Sequence, residues 1–209
     1  CAPFENVYTL ALRGLHDRAM NASNNMNDRK EMLQEALMAQ RQMLVDAIGK
    51  RAEDIPQAFT PYKEVLDVYD QGLELPDDVT IIWPDDNYGY MKRLSSPKEQ
   101  KRSGRSGVYY HSSYLGKPHD HLWMNTTSPT LMYEELRKAY DMTADRIWLL
   151  NAGDIKSCEF AVDYFLTMAF DIDSFSFERA ANYRTEWLCG MLGDDYRVEY
   201  QDAVSYTHL

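Results

Sequence analysis

The chain has little of what marks several large classes of protein. It has only three cysteines in 209 residues, Cys1, Cys158 and Cys189, and their spacing does not match a metal site. We therefore expect buried thiols with a structural role. No run of about 18 apolar residues is present, which excludes an apolar membrane-spanning helix. No glycine-rich phosphate-binding motif follows the first apolar segment, which disfavours a nucleotide-binding sheet.

Positive charge is also scarce. The chain has 22 lysines and arginines against 33 aspartates and glutamates, a formal net charge of −11. This balance argues against nucleic acid or an anionic membrane surface as the main partner. An acidic ligand stays compatible with it, because one arginine at a binding site outweighs distant negative charge.

Apolar residues, 44% of the chain, alternate between two kinds of segment. Short β-rich runs ("NVYTLALRGL", "IPQAF", "VTIIWP", "GVYYHSSY", "RIWLLNAGD") are interspersed with runs that have helical spacing ("DRKEMLQEALMAQRQMLVDAIG", "YKEVLDVYDQGL", "SPTLMYEELRKAYDM", "EFAVDYFLTMAF", "FERAANYRTEWLCGMLG"). This pattern predicts an α/β fold with a parallel sheet. We expect a partial (β/α)8 TIM barrel of about five β/α units, since a whole barrel takes about 250 residues.

The two ends of the chain differ from the rest. The chain begins with a cysteine rather than a methionine, so we expect an internal piece of a longer protein. The final "AVSYTHL" continues no earlier pattern. We therefore expect one partial catalytic domain over residues 1–202 and a non-native tail over 203–209.

Each predicted strand ends in side chains that bind ligands or transfer protons. In β/α barrels the chemistry lies at the carboxyl ends of the strands, so we expect these residues to share one rim. In chain order they are Arg13, His16 and Asp17; Tyr62, Lys63 and Glu64; Asp85, Asp86, Asn87 and Tyr88; His111 and Tyr114; and Asn151 and Asp154.

Each of these residues also has a structural interpretation. Asp85 and Asp86 could cap a helix or a turn, and Glu64 could be a solvated acid in the first turn of a helix. Arg13 could pair with Asp17 as a structural ion pair, and His111 could be a core histidine bonded to backbone. Because groups of this kind follow all five predicted strands, a structural interpretation would require five coincidences, and this favours a functional site.

Three further features have competing interpretations. "HDH" at 119–121 could hold a metal, but no third ligand has suitable spacing. The basic segment 92–105 is expected to be a solvated flexible loop, or else a lid over an acidic polymer. Trp83, Trp123 and Tyr88 could stack on sugar rings, although core packing is commoner for tryptophan.

Glycoside hydrolysis suits this set of residues. That reaction commonly uses two carboxyl groups, one that protonates the leaving oxygen and one that activates water or attacks. Asp17 and Glu64 follow successive predicted strands, so they can face each other across a cleft. Asn, His and Tyr suit sugar hydroxyls, and an arginine can bind a carboxylate through two parallel hydrogen bonds.

The longer motifs resemble glycoside hydrolase family 115, the xylan α-1,2-glucuronidases. The resemblance covers the chain to about residue 195 and rests on "ENVYTLALRGLHD", "PYKEVLDVYDQGL", "WPDDNYGYMKRL", "GVYYHSSYLGKPHDHLW", "NTTSP" and "RIWLLNAGDIK". It implies a secreted or periplasmic multi-domain enzyme that removes glucuronic acid or its 4-O-methyl ether from glucuronoxylan by inverting hydrolysis. It also implies no metal and no cofactor, and a full-length enzyme that forms a homodimer.

The resemblance implies roles for individual residues. Glu64 and Asp17 are the catalytic pair, with Glu64 as general acid and Asp17 activating water, or the reverse. Inversion then predicts a carboxyl separation of about 6.5–9.5 Å. Arg13 or Lys63 would hold the uronate carboxylate. The remaining substrate-binding residues would be Asn87, His111, Tyr114 and Asn151, and the residues that support them would be Asp85, Asp86, Tyr88 and Asp154.

The sequence departs from the family pattern in a few places. Ala11 and Leu12 stand where Gly–Met is frequent, and Ser157 and Cys158 stand where Pro–Ala is common. The front of the barrel and its closing strands are missing, so we expect this piece to be inactive by itself. Two alternatives stay open: a barrel enzyme for another acidic sugar, and a non-catalytic carbohydrate-binding fragment.

Overall fold

The computed structural model of the protein describes residues 4–14, 18–21, 25–114, 127–153 and 155–206. Within these ranges the strands are β1 (Tyr8–Leu10), β2 (Gln57–Phe59), β3 (Thr80–Pro84), β4 (Ser106–His111) and β5 (Trp148–Asn151). The helices are α1 (Met26–Ile48), α2 (Glu64–Asp70), α3 (Pro129–Asp141), α4 (Glu159–Phe170), α5 (Phe177–Leu192) and α6 (Arg197–Tyr206).

The five strands form one sheet in the order β1-β2-β3-β4-β5. β1 pairs with β2 in parallel, with Tyr8 opposite Gln57, and β2 pairs with β3 in parallel, with Phe59 opposite Ile81. Sequential parallel strands joined by helical connections are the arrangement of a β/α barrel. The predicted fold class, a partial (β/α) barrel, is confirmed.

The central strands are buried along their whole length. Every residue of β2 and β3 is buried, and Tyr109 is the one residue of β4 that is partly exposed. This follows from the near-continuous apolar runs that predicted them, since a strand covered on both faces cannot alternate polar and apolar residues.

Helix ends follow local sequence signals. Asn25 caps α1, because its side chain accepts a hydrogen bond from the backbone of Asn27 at 2.9 Å. Gly49 ends α1 at φ +73°, a left-handed conformation that glycine adopts without strain. Ser128 caps α3 through a 3.2 Å hydrogen bond from the backbone of Leu131, as its position before Pro129 predicts.

The chain divides into two compact units. Unit 1 comprises Cys1–Pro84, Arg93–Val108 and Met142–Ile147, and unit 2 comprises Asp85–Lys92, Tyr109–Asp141 and Trp148–Leu209. The core of unit 1 contains Leu33 and Leu37 from α1, Val68 from α2, and Phe59 and Trp83 from the sheet.

The core of unit 2 is rich in aromatic residues. Tyr164 of α4 contacts the ring of Tyr183 of α5 at 5.0 Å and that of Phe175 at 5.4 Å, each edge to face. Tyr110 of β4 stacks on Phe165 of α4 at 6.3 Å. These contacts join α4 to α5 and to the sheet within this unit.

The cysteines, the absence of a long apolar run and the C-terminal segment were each the subject of an expectation from the sequence. Cys158 and Cys189 are free and buried, as predicted, and Cys1 lies outside the described residues. No helix in the described ranges is long and apolar enough to cross a membrane. Helix α6, Arg197–Tyr206, was not predicted, and its backbone continues past residue 202 into the segment that the sequence analysis set aside as a tail.

Candidate active site

In unit 1, Arg13 and Glu64 are brought together from two strand ends. Arg13 lies three residues after β1, and Glu64 is the first residue of α2 after β2. The Arg13 Nε donates to Glu64 Oε1 at 3.2 Å, and Nη2 donates to Oε2 at 3.2 Å. The two side chains are each 20% exposed. This two-pronged pair is the geometry with which a guanidinium binds a planar carboxylate.

Neighbouring groups hold the Arg13 segment in place. The side chain of Gln40 on α1 binds the backbone of Ala11 twice, accepting from its N–H at 3.0 Å and donating to its carbonyl at 2.7 Å. The guanidinium of Arg13 also lies 5.3 Å from the centre of the Tyr62 ring, and the Lys63 ammonium lies 5.0 Å from it. Two cations therefore flank one aromatic ring next to Glu64.

Lys63 has an unusual backbone conformation, with φ 52° and ψ −121°. A lysine has a Cβ, so a positive φ is strained for it. Strain of this kind persists where the surroundings impose it, and it is concentrated at functional sites. The conformation turns the chain between β2 and α2 and places Glu64 at the first position of α2.

In unit 2, the carboxylate of Asp85 is buried and holds His111. Asp85 Oδ1 lies 2.7 Å from His111 Nδ1, and Asp85 Oδ2 accepts a hydrogen bond from the His111 backbone at 3.0 Å. The Asn87 backbone donates to Asp85 Oδ1 at 3.0 Å. The neutral imidazole therefore carries its proton on Nδ1, which leaves Nε2 as the acceptor nitrogen.

The loop after β3 is shaped by Asp86. Its Oδ1 accepts hydrogen bonds from the backbones of Tyr88 at 2.8 Å and Tyr90 at 3.1 Å. Asn87, between these groups, has φ 72°, a left-handed conformation that asparagine tolerates better than most residues. The buried Tyr110 hydroxyl donates to the carbonyl of Gly89 at 2.8 Å and fastens the loop to β4. Burial raises the pKa of Tyr110, which keeps its hydroxyl protonated as a donor.

The ends of β4 and β5 are linked within unit 2. Asn151 Nδ2 donates to the Tyr109 hydroxyl at 2.8 Å, and the Ser112 backbone donates to the Asn151 carbonyl at 3.1 Å. The imidazole of His111 lies 4.7 Å from the Tyr109 ring and 5.6 Å from the Tyr114 ring. Tyr109 therefore contacts two of the predicted substrate-binding residues.

The structure thus groups the predicted site residues in two sets. Arg13, Lys63 and Glu64 come together in unit 1, and Asp85, Asn87, His111, Tyr114 and Asn151 come together in unit 2. Asp17 and Asp154 lie outside the described residues, as does His16, so the separation of the proposed catalytic carboxyls stays a prediction. The prediction of one rim for all five strand ends also stays a prediction.

Tyr62 and Tyr109 contact predicted site residues in ways the sequence analysis missed. The sequence places Tyr62 among the strand-end residues but predicts no role for it, and it predicts Tyr109 only as part of a strand. Alternation along "GVYYH" provides a signal for Tyr109, because residues two apart on a strand point to the same face and Tyr109 is two residues before His111.

The sugar-stacking interpretation of Trp83 is wrong. Its side chain is fully buried, and its indole N–H donates to the hydroxyl of Ser95 at 2.9 Å. The guanidinium of Arg93 packs 4.4 Å from its ring centre and completes the burial. Trp123, the other candidate tryptophan, lies outside the described residues.

The expectation of a solvated flexible loop at 92–105 is wrong for Arg93 and Arg102. Arg93 pairs with Asp70 and Glu99, each at 2.9 Å. Arg102 is only 10% exposed and donates to the backbone carbonyls of Pro76 at 2.6 Å and Val79 at 3.1 Å. These bonds fasten the segment to the chain that enters β3, so the lid interpretation has no support from them.

In the described ranges, no group of three or more His, Cys, Asp or Glu side chains could hold a metal. His119 and His121 of the "HDH" motif lie outside those ranges. The described site residues supply hydrogen bonds, ion pairs, and carboxyl and imidazole groups that can transfer protons.

Known proteins that are similar to this chain belong to one family. The family described as glycosyl hydrolase family 115 matches residues 1–209. A solved structure of a family GH115 4-O-methyl-alpha-glucuronidase with specificity for decorated arabinogalactans matches with a TM-score of 0.92 and 41% sequence identity. The match covers 98% of this chain and 27% of that chain, so this chain spans about a quarter of that structure's length. No curated protein sequence matches the chain significantly.

The fold and these matches define the class to which the chain belongs, the glycosyl hydrolases whose domain is a β/α barrel. The strand ends carry carboxyl groups, which most glycoside hydrolases use in catalysis. The chain belongs to glycosyl hydrolase family 115, and the resemblance seen in its motifs is confirmed.

Proposed function

We propose that the enzyme containing this chain removes glucuronic acid, or its 4-O-methyl ether, from the side chains of a polysaccharide by hydrolysis. The observation that carries the proposal is the 41% identity to a 4-O-methyl-alpha-glucuronidase over 98% of this chain. The arginine–carboxylate pair at Arg13 and Glu64 supports it, because a uronic acid differs from a neutral sugar by its carboxylate.

Arg13 is proposed to bind the uronate carboxylate. The planar carboxylate of a uronic acid presents two oxygens in the same arrangement as Glu64, so it can replace Glu64 on the same two guanidinium nitrogens. Lys63 lies beside the same tyrosine ring and supplies a second positive charge. When the uronate carboxylate takes the place of Glu64 on Arg13, the oxygens of Glu64 would be free for proton transfer.

Glu64 is proposed as the general acid and Asp17 as the group that activates water, with the reverse assignment as the alternative. An inverting mechanism requires one carboxyl on each side of the scissile bond. The hydroxyls of the sugar would be bound by Asn87, His111, Tyr114 and Asn151. This distribution uses acceptor and donor groups from every strand end after β2.

Two polysaccharides are candidate substrates. The family resemblance favours glucuronoxylan with α-1,2-linked side chains. The solved relative has specificity for decorated arabinogalactans, and this observation favours a glucuronidated arabinogalactan as the second candidate. Both polysaccharides carry a terminal uronic acid, and they differ in the polysaccharide backbone to which it is attached.

The test is release of uronic acid from both polysaccharides by the full-length enzyme, followed by anion-exchange chromatography. ¹H NMR at early times reports the anomer released, and inversion of an α-linkage gives the β-anomer first. Glu64→Gln is expected to lower kcat by about 10²–10⁴-fold, the usual contribution of a proton-transfer group. The exposed Glu35→Gln on α1 is the control and should keep full activity. Unchanged turnover by Glu64→Gln contradicts the assignment.

A secreted or periplasmic location is proposed with this function, because a polysaccharide substrate lies outside the cell. The full-length enzyme is further proposed to be a homodimer. Immunodetection in culture medium or periplasmic extract tests the location, and light scattering coupled to size exclusion tests the dimer. Retention of the enzyme in the cytoplasmic fraction, or a monomer mass, contradicts the respective proposal.

A further inference from the structure

Tyr109 faces the same side of β4 as His111. Residues alternate across a strand, so Tyr109 and His111 share one face and Tyr110 points to the other. The contacts agree with this rule: Tyr110 stacks on Phe165 of α4, whereas Tyr109 contacts His111 at 4.7 Å. Tyr109 is the partly exposed residue of an otherwise buried strand. The sheet therefore presents one tyrosine next to the candidate site.

The hydroxyl of Tyr109 orients the amide of Asn151. Asn151 Nδ2 donates to this hydroxyl at 2.8 Å. The backbone carbonyl of Asn151 accepts a separate hydrogen bond from the backbone N–H of Ser112 at 3.1 Å. With its nitrogen engaged, the amide directs Oδ1 the opposite way. Among the described residues, none donates a hydrogen bond to that oxygen. An oriented amide oxygen is an acceptor for a sugar hydroxyl.

The ring of Tyr109 also limits the motion of His111. The imidazole is held at Nδ1 by Asp85 at 2.7 Å and contacted by Tyr114 edge to face at 5.6 Å. Tyr109 packs against it at 4.7 Å with an interplanar angle of 57°. One side chain therefore contacts both an acceptor amide and an imidazole whose neutral form has Nε2 as acceptor.

We propose that Tyr109 is a positioning residue that presents Asn151 Oδ1 as an acceptor for a hydroxyl of the uronic acid and fixes the imidazole of His111 beside it. The proposal rests on the function proposed above and adds a residue for which that function names no role. Groups oriented before substrate arrives lose less freedom on binding, so their loss weakens binding of the sugar.

The test compares Tyr109→Phe with Tyr164→Phe in the full-length enzyme. Both changes remove a tyrosine hydroxyl that makes a 2.8 Å hydrogen bond in unit 2, but Tyr164 bonds to the Pro129 carbonyl in the core. Tyr109→Phe is expected to raise KM for the uronic acid-bearing polysaccharide about 10-fold and to change kcat little. A factor of about 10 corresponds to the loss of one hydrogen bond. Tyr164→Phe is expected to lower the melting temperature and to leave KM unchanged.

A double-mutant cycle with Asn151→Ala separates positioning from simple destabilisation. If Tyr109 acts through Asn151, the double variant has about the same KM as Asn151→Ala alone, because both changes remove the same contact. The proposal is overturned if the increase in KM of the double variant equals the product of the increases in the two single variants. It is also overturned if Tyr109→Phe and Tyr164→Phe have the same KM. Absence of uronic acid release by the unaltered enzyme overturns the proposed function and this role together, whereas normal turnover with an unchanged KM in Tyr109→Phe overturns only this role.

Discussion

At the scale of single residues, Asp85 has the most demanding environment in the candidate site. Its buried carboxylate accepts hydrogen bonds from the backbones of His111 and Asn87 and contacts the imidazole of His111. Every one of these partners supplies an N–H. A carboxylate satisfies them because both of its oxygens are acceptors.

Asp85→Asn is therefore expected to lower the free energy of unfolding by about 1–3 kcal/mol, because the new NH₂ group faces an N–H donor. Urea denaturation of the 209-residue chain measures this change. The control is Asp173→Asn, whose 73% exposed carboxylate pairs with Arg137 and should cost less than about 1 kcal/mol. Equal losses in the two variants would mean that the buried acceptors of Asp85 are unimportant.

Arg13 is a second residue whose chemistry can be tested by a conservative change. Lysine keeps the positive charge but cannot form the two parallel hydrogen bonds seen with Glu64. Arg13→Lys in the full-length enzyme is expected to raise KM for a uronic acid substrate by about 10-fold or more. Steady-state kinetics measure it, with Arg51→Lys, on an exposed arginine of unit 1, as the control. A KM unchanged by Arg13→Lys would remove Arg13 from the uronate site.

At the scale of elements, the segment 92–105 is stabilised by Glu99. Burial raises the pKa of Glu99, but hydrogen bonds from Ser96, Arg93 and Tyr69 outweigh it and lower the pKa to about 2. The reference value is 4.5. A carboxylate with a depressed pKa stabilises the fold above pH 4.5, and this stabilisation is lost as the pH falls towards 2.

Glu99→Gln should consequently lower the free energy of unfolding at pH 7 by up to about 3 kcal/mol and flatten its dependence on pH between 4.5 and 2. Denaturation curves of the 209-residue chain at several pH values measure both effects. Glu35→Gln, an exposed change on α1, provides the comparison. If the free energy of unfolding of Glu99→Gln depends on pH in the same way as that of the unaltered chain, the segment is held by its arginines alone.

At the scale of the whole molecule, charge governs solubility. The net charge is −11 at pH 7, and the sequence pI is about 4.9. Several large apolar side chains of unit 2 are exposed: Ile155, Phe170, Phe177, Leu192 and Val198. Charge repulsion opposes association through such side chains at neutral pH and vanishes near the pI.

The chain should accordingly show a minimum of solubility near pH 4.9, with recovery on either side. Static light scattering across pH 4 to 8 measures this. Replacing the 93% exposed Phe170 by Ser should reduce scattering at the minimum. Constant scattering across this range would show that neither charge nor exposed apolar surface controls association.

The prediction of elements succeeded where the signal was local. Gly49 ends α1 and Ser128 caps α3, as their residue types indicate, and the apolar runs predicted β2 to β5 to within a few residues. It failed at α6, whose polar sequence has no strong apolar periodicity and whose last turn lies in the segment predicted to be a non-native tail. It also failed for Arg93 and Arg102, since nothing local distinguishes a solvated arginine from one that binds carboxylates or backbone carbonyls.

The sequence by itself determined the order of strands and helices, the burial of the central strands, the chemical types at the strand ends and the membership of family 115. These properties depend on periodicity, turn residues and long motifs, which are local. The tertiary structure alone decided the partners: Glu64 for Arg13 across 51 positions, His111 for Asp85 across 26, and Tyr109 for Asn151 across 42. Partner choice depends on strand register and side-chain direction, and both arise only when segments distant in the chain pack together.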